Sequence, residues 1–195
     1  VPVVAGVNGV DVLRDMRLFL EDCRRIGFSG VHNFPTVAWF EGEFRNTLEK
    51  TGLGYTHEIA MLNTAKELDL LTVGYAFSEE DTKILMSEAA PDIFIFHAGI
   101  TKGGSTGYSE GRGLEEMAKR SEEHFLLARE LKPDVIILAH GAALVDPEDA
   151  RYLVKETSCH GVQLGSSIER MAVEAPLEER AREFKEMAGP NRTGT

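Results

Sequence analysis

The chain has 195 residues, of which 43% are hydrophobic, and its formal net charge is −11. This length and composition predict a single globular domain with a full hydrophobic core. The acidic balance and the scattered lysines and arginines argue against a nucleic-acid binder, and no apolar run approaches the ~20 residues of a membrane-spanning helix. Cys23 and Cys159 are too few for a disulfide framework, and no signal peptide is visible, so we predict a cytoplasmic protein.

Six short apolar runs alternate with helical patterns along the chain. Each run has the continuous hydrophobic character of a strand that is buried on both faces of a sheet. The predicted strands lie at residues 3–7, 30–34, 71–77, 93–98, 135–140 and 161–164. Helices are predicted over residues 12–25 (capped by Asp11), 57–69, 79–90 and 114–131, from Asp146 onward, and across a final amphipathic segment with Leu177, Ala181 and Phe184 facing inward. This alternation is typical of a parallel sheet with helices outside it.

The spacing of the strands favours a barrel. Successive strand starts are about 31 residues apart, and eight such units make the ~250 residues of a (β/α)8 barrel. An open doubly wound sheet is the alternative. The barrel is preferred because the chain begins inside a predicted buried strand. We predict one TIM-barrel domain over residues 1–195, with about six βα units present and the first one or two missing.

Polar side chains and glycines gather at the predicted strand ends, where both architectures place their sites. The residues delivered there include Asn8, His32, Asn33, Tyr75, His97, His140, Gly141, Gly165, Ser166 and Ser167. Three interpretations stay open. The histidines form an acid–base or binding site, they hold Zn²⁺ through three imidazoles, or they only bind nearby loop carbonyls. No HxH or HExxH motif supports the metal.

Two segments are candidate anion sites. At residues 161–170 a strand runs into Gly165, and Ser166 or Ser167 is placed to cap a helix whose N-terminal N–H groups favour a phosphate or carboxylate. An ordinary turn is the alternative there.

The second segment, residues 99–113, has six glycines in fifteen residues. With Gly103, Gly104 and Lys102 it is either an anion-binding lid or a flexible connection. Neither a P-loop nor a GxGxxG fingerprint occurs, so ATP and NAD are not indicated.

Two carboxylates and an aromatic pair complete the candidates. Glu58 and Glu169 are near strand ends, although acids at helix starts are common because the helix dipole favours them. Trp39 and Phe40 are placed to form a pocket wall or a dimer contact.

Five ordered motifs resemble the phosphoenolpyruvate hydrolase family, also called the TIM-barrel signal-transduction family. They are VVAGVNG at 3–9, GVHNFP at 30–35, FHAGITKGG at 96–104, AHG at 139–141 and GSSIER at 165–170. The resemblance implies a (β/α)8 barrel whose third to eighth strands are present, with a phosphate site in the last two of these loops. It also implies chemistry similar to that of the phosphoenolpyruvate mutase and isocitrate lyase superfamily. At the positions where that superfamily has acidic Mg²⁺ ligands, this sequence has His, Asn and Gly. A divalent metal is therefore a possible cofactor, but no cofactor is certain.

We therefore expect a hydrolase or lyase that acts on a small phosphorylated or carboxylated acid. His97 and His140 would transfer protons, and His32 with Asn33 would orient the substrate. The expected anion-binding residues are Gly103, Gly104, Gly141, Gly165, Ser166 and Ser167, and Asn8, Glu58, Lys102 and Glu169 are further candidates. The alternative is a non-catalytic regulatory barrel that binds a metabolite or a protein. In either case we predict a homo-oligomer without nucleic-acid or membrane partners.

Overall fold

The six predicted strands form one parallel sheet. In the computed structural model, which describes residues 1–104 and 113–186, they are β1 (Val4–Gly6), β2 (Gly30–His32), β3 (Leu71–Ala76), β4 (Ile93–His97), β5 (Ile136–His140) and β6 (Gly161–Val162). They are hydrogen-bonded in the order β1-β2-β3-β4-β5-β6, and every pair is parallel. An open doubly wound sheet reverses its strand order at a switch point, whereas a barrel keeps sequential order. The predicted (β/α)8 architecture is therefore confirmed for these units.

Helices follow the strands and cover one face of the sheet. They are α1 (Met16–Ile26), α2 (Gly42–Lys50), α3 (Tyr55–Glu67), α4 (Glu79–Ile84) with a π-helical continuation (Leu85–Ala89), α5 (Leu114–Leu131), α6 (Pro147–Glu156), α7 (Ser166–Glu169) and α8 (Met171–Glu186). The segment between β2 and α3, which lacks a strand, contains a 3-10 turn (Val37–Trp39) and α2. Among the described residues, no helix is long and apolar enough to cross a bilayer.

Local capping chemistry sets several helix starts. Ser78 accepts a backbone N–H from the first turn of α4, and Asp146 forms a capping box with Asp149 at the start of α6. The predicted start of α1 is wrong. Its N-cap is Asp15, because the side chain of Asp11 accepts a backbone N–H two residues later and closes a turn of its own.

The sheet separates two apolar layers. The larger layer lies between the sheet and the helices, and its fully buried members include Leu20, Val31, Leu62, Phe94, Phe96, Phe125 and Ile137. A smaller cluster of Val73, Tyr75 and Ile95 covers the opposite face. Strand side chains alternate between faces, so the inner-face row of β4 continues from Ile95 to His97. This alternation brings the histidines at the strand ends to the inner face.

One expected core element lies outside both layers. Leu177 and Phe184 of α8, predicted to face inward, are 67% and 65% exposed. The apolar spacing of α8 indicates an amphipathic helix, but it does not determine what covers its apolar side. Cys23, in contrast, is a buried free thiol.

Candidate functional site

A pocket of about 560 Å³ lies at the carboxyl ends of the strands, and we call it the strand-end pocket. It is lined by imidazoles, aromatic and aliphatic side chains, three uncharged polar residues, one glycine and one carboxylate. These residues are His32, Phe34, Trp39, Tyr75, His97, Ile100, Thr101, His140, Gln163, Leu164, Gly165, Ser166 and Glu169. The wall contains all three histidines that were predicted to end strands. It contains no lysine or arginine from the part of the chain that the structure describes.

Strand register brings the histidines together. His97 and His140 are paired residues on β4 and β5, and their ring centroids are 4.5 Å apart in an edge-to-face arrangement. The ring of Tyr75 joins His32 to this pair, because it lies 4.1 Å from His32 and 5.4 Å from His140. Trp39 packs against His97 at 4.6 Å from the other side. The three imidazoles therefore belong to one continuous aromatic wall.

Backbone groups hold two of the imidazoles by the same ring atom. His97 Nδ1 accepts the N–H of Gly99 at 3.2 Å, and His140 Nδ1 lies 2.8 Å from the carbonyl oxygen of Gln163. The side chain of Gln163 is also used, since its Oε1 accepts the Tyr75 hydroxyl at 2.7 Å. These bonds orient both rings, which line the pocket, and no hydrogen bond among the described residues uses either Nε2 atom.

Burial keeps all three imidazoles neutral near physiological pH. Burial, and to a smaller extent the nearby imidazole of His140, lowers the pKa of His32 to about 3. The same two causes lower the pKa of His97 to about 3. Burial also lowers the pKa of His140, although its bond to the Gln163 carbonyl opposes this change. His32 Nε2 is buried and has no hydrogen-bond partner among the described residues, so one polar atom of the wall is unsatisfied.

Asn33 and Glu58 lie behind the wall, and neither lines the pocket. Asn33 Nδ2 donates to Glu58 Oε2 at 2.7 Å, and its Oδ1 accepts the N–H of Tyr75 at 2.7 Å. Glu58 Oε1 accepts the N–H of Val37 at 2.7 Å. Both side chains are fully buried, and burial raises the pKa of Glu58 to about 7. They bind the loop after β2 to β3 and α3 and support the wall from outside, so the structure does not bring them to the substrate side.

The Gly165 segment reaches the pocket, but the predicted serine cap is wrong. Gly165 itself is the N-cap of α7, and no side chain caps that helix. Ser166 lines the pocket, whereas Ser167 Oγ donates to the carbonyl oxygen of Leu144 at 2.9 Å. Ser167 therefore fastens α7 to the loop after β5. The short helix presents one serine, not two, to a ligand.

Gly141 is needed for the turn after β5. Its φ is +87°, and a Cβ there would lie 2.3 Å from the Gly99 carbonyl oxygen and 3.3 Å from the ring of His97. Only a glycine tolerates both that backbone conformation and that approach. Gly141 thus packs the β5 loop against the His97 ring without lining the pocket.

The described part of the glycine-rich segment is held by an arginine. Arg170 donates to the carbonyl oxygen of Gly103 at 3.1 Å and pairs with Glu174 at 3.0 Å. A Cβ on Gly104 would meet the same guanidinium at 2.1 Å. Gly103, Gly104 and Lys102 do not line the pocket. Residues 105–112, on which the predicted lid also depended, lie outside the described residues.

Glu169 and Asn8, the remaining candidates, also differ in whether they line the pocket. Glu169 lines the pocket, whereas Asn8 is exposed and its side chain accepts the N–H of Val10 in a local turn. Sequence reasoning missed Gln163 and Thr101, both of which line the pocket. Gln163 offered a signal, because it is a polar residue within a predicted apolar strand.

A metal site does not fit the described side chains. No group of three or more His, Cys, Asp or Glu side chains in that part of the chain is positioned around a common point. The Nδ1 atoms of His97 and His140 are already bound to backbone groups. The three imidazoles therefore do not match the predicted alternative of a Zn²⁺ ligand set.

Comparison with known proteins connects this site to one family. The model of a family described as phosphoenolpyruvate hydrolase-like matches residues 1–187. Two proteins of Solanum lycopersicum, the ToMV susceptible protein tm-1(GCR26) and the ToMV resistance protein Tm-1(GCR237), are each 39% identical to the chain over 189 residues. The match covers 96% of this chain and 25% of either relative, so the chain spans about a quarter of their length.

A solved structure is similar in fold. The β-glucanase SdGluc5_26A of Saccharophagus degradans superposes with a TM-score of 0.53 at 14% identity, over 83% of this chain and 54% of that chain. At this identity the likeness concerns the fold and carries no information about substrate.

Proposed function

Because the chain belongs to the phosphoenolpyruvate hydrolase-like family, we propose that it binds a small phosphorylated or carboxylated acid in the strand-end pocket. We further propose that it acts on this acid as a hydrolase or lyase. The observation that carries the proposal is the convergence of His32, His97 and His140 on one pocket of about 560 Å³. A pocket of this size suits a small metabolite, and imidazoles are the commonest side chains for moving protons.

The acid would be held by neutral donors. With no lysine or arginine among the described lining residues, the groups that can reach an oxyanion are imidazole N–H groups, the hydroxyls of Thr101 and Ser166, and backbone N–H groups around Gly165. Such donors bind phosphate and carboxylate oxygens without a formal positive charge.

Proton transfer would fall to His97 and His140. Their rings are 4.5 Å apart, so both can contact one small molecule. Their lowered pKa values keep them neutral, the state in which an imidazole can accept or donate a hydrogen bond. His32, which lines the same pocket, would orient the ligand.

Isothermal titration with phosphate, phosphoenolpyruvate and phosphonopyruvate tests this function. We expect at least one of them to bind with a Kd below millimolar. His140→Ala and Ser166→Ala should each weaken binding about tenfold, which corresponds to the loss of one charge-assisted hydrogen bond. Ser87→Ala, an exposed hydroxyl outside the pocket, is the matched control. Failure of all three compounds to bind, or unchanged binding by the two pocket variants, would contradict the proposal.

A second candidate is a regulatory barrel that binds a protein partner or a second copy of itself. It is favoured by an exposed aromatic surface beside the pocket, where Phe40 and Phe44 are 45% and 56% exposed with ring centroids 5.0 Å apart. Trp39, the neighbour of Phe40, lines the pocket. Exposed apolar clusters of this kind mark interaction surfaces. Self-association and a cytoplasmic location stay predictions.

Light scattering after gel filtration tests the second candidate. We expect a phosphate-dependent increase in mass that is lost in the double variant Phe40→Ser, Phe44→Ser. Phe184→Ser, which changes an aromatic of similar exposure on α8, should leave the increase in place. Turnover of a phosphorylated acid by a protein that stays monomeric at every concentration would exclude this candidate.

A further inference from the structure

The two paired histidines have opposite hydrogen-bonding polarity. The partner of His97 Nδ1 is the N–H of Gly99, which can only donate. His97 Nδ1 therefore carries the lone pair, and the proton of the neutral ring is on Nε2. The partner of His140 Nδ1 is the carbonyl oxygen of Gln163, which can only accept. His140 therefore carries its proton on Nδ1 and a lone pair on Nε2.

The pocket wall thus presents one donor and one acceptor side by side. His97 and His140 are neighbours across β4 and β5, their ring centroids are 4.5 Å apart, and both line the pocket, so one small ligand can reach both rings. Glu169, an acidic residue, lines the same pocket. No described lining residue is a lysine or arginine. Such a wall binds an acid that has a hydroxyl to donate more tightly than an acid of the same shape that has none.

We infer that the strand-end pocket selects acids that carry a hydroxyl proton of their own near neutral pH, such as hydrogen phosphate and 2-hydroxy acids. The ligand hydroxyl donates to His140 Nε2, and a second oxygen accepts from His97 Nε2–H. Sulfate has the size and shape of phosphate but no proton at neutral pH. One of its oxygens, which can only accept, would therefore face the lone pair on His140 Nε2. This inference rests on the proposed function, because it assumes that an acid occupies the pocket.

The expected ratio of Kd values follows from the cost of leaving a buried acceptor without a donor. A buried acceptor left facing another acceptor weakens binding by about tenfold or more. A ligand pair that differs only in the proton should therefore differ in Kd by at least about tenfold. Hydrogen phosphate against sulfate is one such pair, and lactate against pyruvate is a second in which a hydroxyl replaces a keto oxygen.

The first arm of the test measures the tautomers directly. Long-range ¹H–¹⁵N NMR spectra of the ¹⁵N-labelled protein near pH 7.5 distinguish a protonated from an unprotonated ring nitrogen. We expect the Nε2–H form for His97 and the Nδ1–H form for His140. The opposite tautomer at either residue overturns the inference, whether or not a ligand binds.

The second arm measures Kd for both ligand pairs by titration near pH 7.5. We expect phosphate to bind at least tenfold more tightly than sulfate, and lactate more tightly than pyruvate. In His140→Gln the amide can present a donor as well as an acceptor, so the phosphate-to-sulfate ratio should fall below about threefold. Ser87→Ala should keep the wild-type ratio.

The outcomes separate the two proposals. Equal binding of both members of each pair overturns the inference and leaves the proposed function standing. Absence of binding by all four compounds overturns the proposed function, and the inference falls with it. An unchanged phosphate-to-sulfate ratio in a folded His140→Gln variant shows that another group discriminates, which also overturns the inference.

Discussion

At the scale of single residues, environment determines the roles of side chains that look alike in the sequence. His97 and His140 both end strands, yet Gly99 and the carbonyl of Gln163 hold their Nδ1 atoms in opposite hydrogen-bonding states. Glu58 and Glu169 are both acids in the first turn of a helix. Glu169 reaches the pocket, whereas Glu58 is fully enclosed and bonded to the backbone of Val37.

Glu58 should make stability depend on pH. Burial outweighs its hydrogen bonds and raises its pKa from 4.5 to about 7. Because the folded pKa is above the unfolded value, the stabilising contribution is fully present below about pH 4.5 and is lost as pH rises through about 7. Relative to Glu58→Gln, the wild-type free energy of unfolding should fall by up to about 3 kcal/mol across this range.

Urea denaturation at a series of pH values measures this difference. Glu148→Gln is the control, because Glu148 is an exposed acid on α6 and its substitution should give a profile parallel to wild type. A Glu58→Gln profile that also runs parallel to wild type would contradict the shifted titration.

At the scale of elements, the loops that follow the strands make the site, and the helices hold those loops in place. The turn after β5 lies against β4 because Gly141 allows the approach. Ser167 bonds the start of α7 to the same turn, and Arg170 at its end holds Gly103. Three successive loops are thereby joined around the pocket.

Gly141→Ala should disrupt this arrangement. The methyl group would require a left-handed backbone and would overlap the Gly99 carbonyl oxygen, so we expect a loss of about 2 kcal/mol or more in unfolding free energy. The His97 ring resonances should also shift, because that ring lies 3.3 Å from the new atom. Gly113→Ala, at the N-cap of α5 and with no described atom within 4 Å of its Cβ position, should cost no more than about 1 kcal/mol. Equal stability of both variants would refute the steric role.

At the scale of the whole molecule, stability is concentrated in the middle of the sheet. β3, β4 and β5 each pair with a strand on both sides and have the large helix-side core behind them. β6 has two residues, and the described side chains at positions 176–185 of α8 are all exposed. The pocket is therefore built between a well-packed sheet and a peripheral last unit.

Native-state hydrogen exchange should show this gradient. Amides of β3, β4 and β5 are expected to exchange slowest, and amides of α8 at least about 100-fold faster, because local opening exposes little apolar surface there. α5 serves as the comparison helix, since Met117, Phe125 and Ala128 anchor it in the core. Protection of α8 equal to that of β4 would show that α8 packs more firmly than its exposure implies.

The sequence by itself determined the six strands, most of the helices and their order, although it did not predict α2 and misplaced the start of α1. Continuous apolar runs located all six strands, and the pattern for α5 matched residues 114–131 at both ends, because strand and helix periodicities and caps are local properties. The sequence also predicted that His32, His97 and His140 lie at strand ends. Parallel strands that follow one another bring such residues to one edge of the sheet.

Only the tertiary structure decided what those residues meet. The bond between Tyr75 and Gln163 joins residues 88 positions apart, and that between Asn33 and Tyr75 spans 42. No local pattern contains such partners. For the same reason the sequence could not tell that Ser167 binds a loop carbonyl, that α8 is exposed, or which nitrogen of each histidine holds the proton. Hydrogen bonding and burial depend on atoms brought together by folding, and the chemistry of this pocket depends on both.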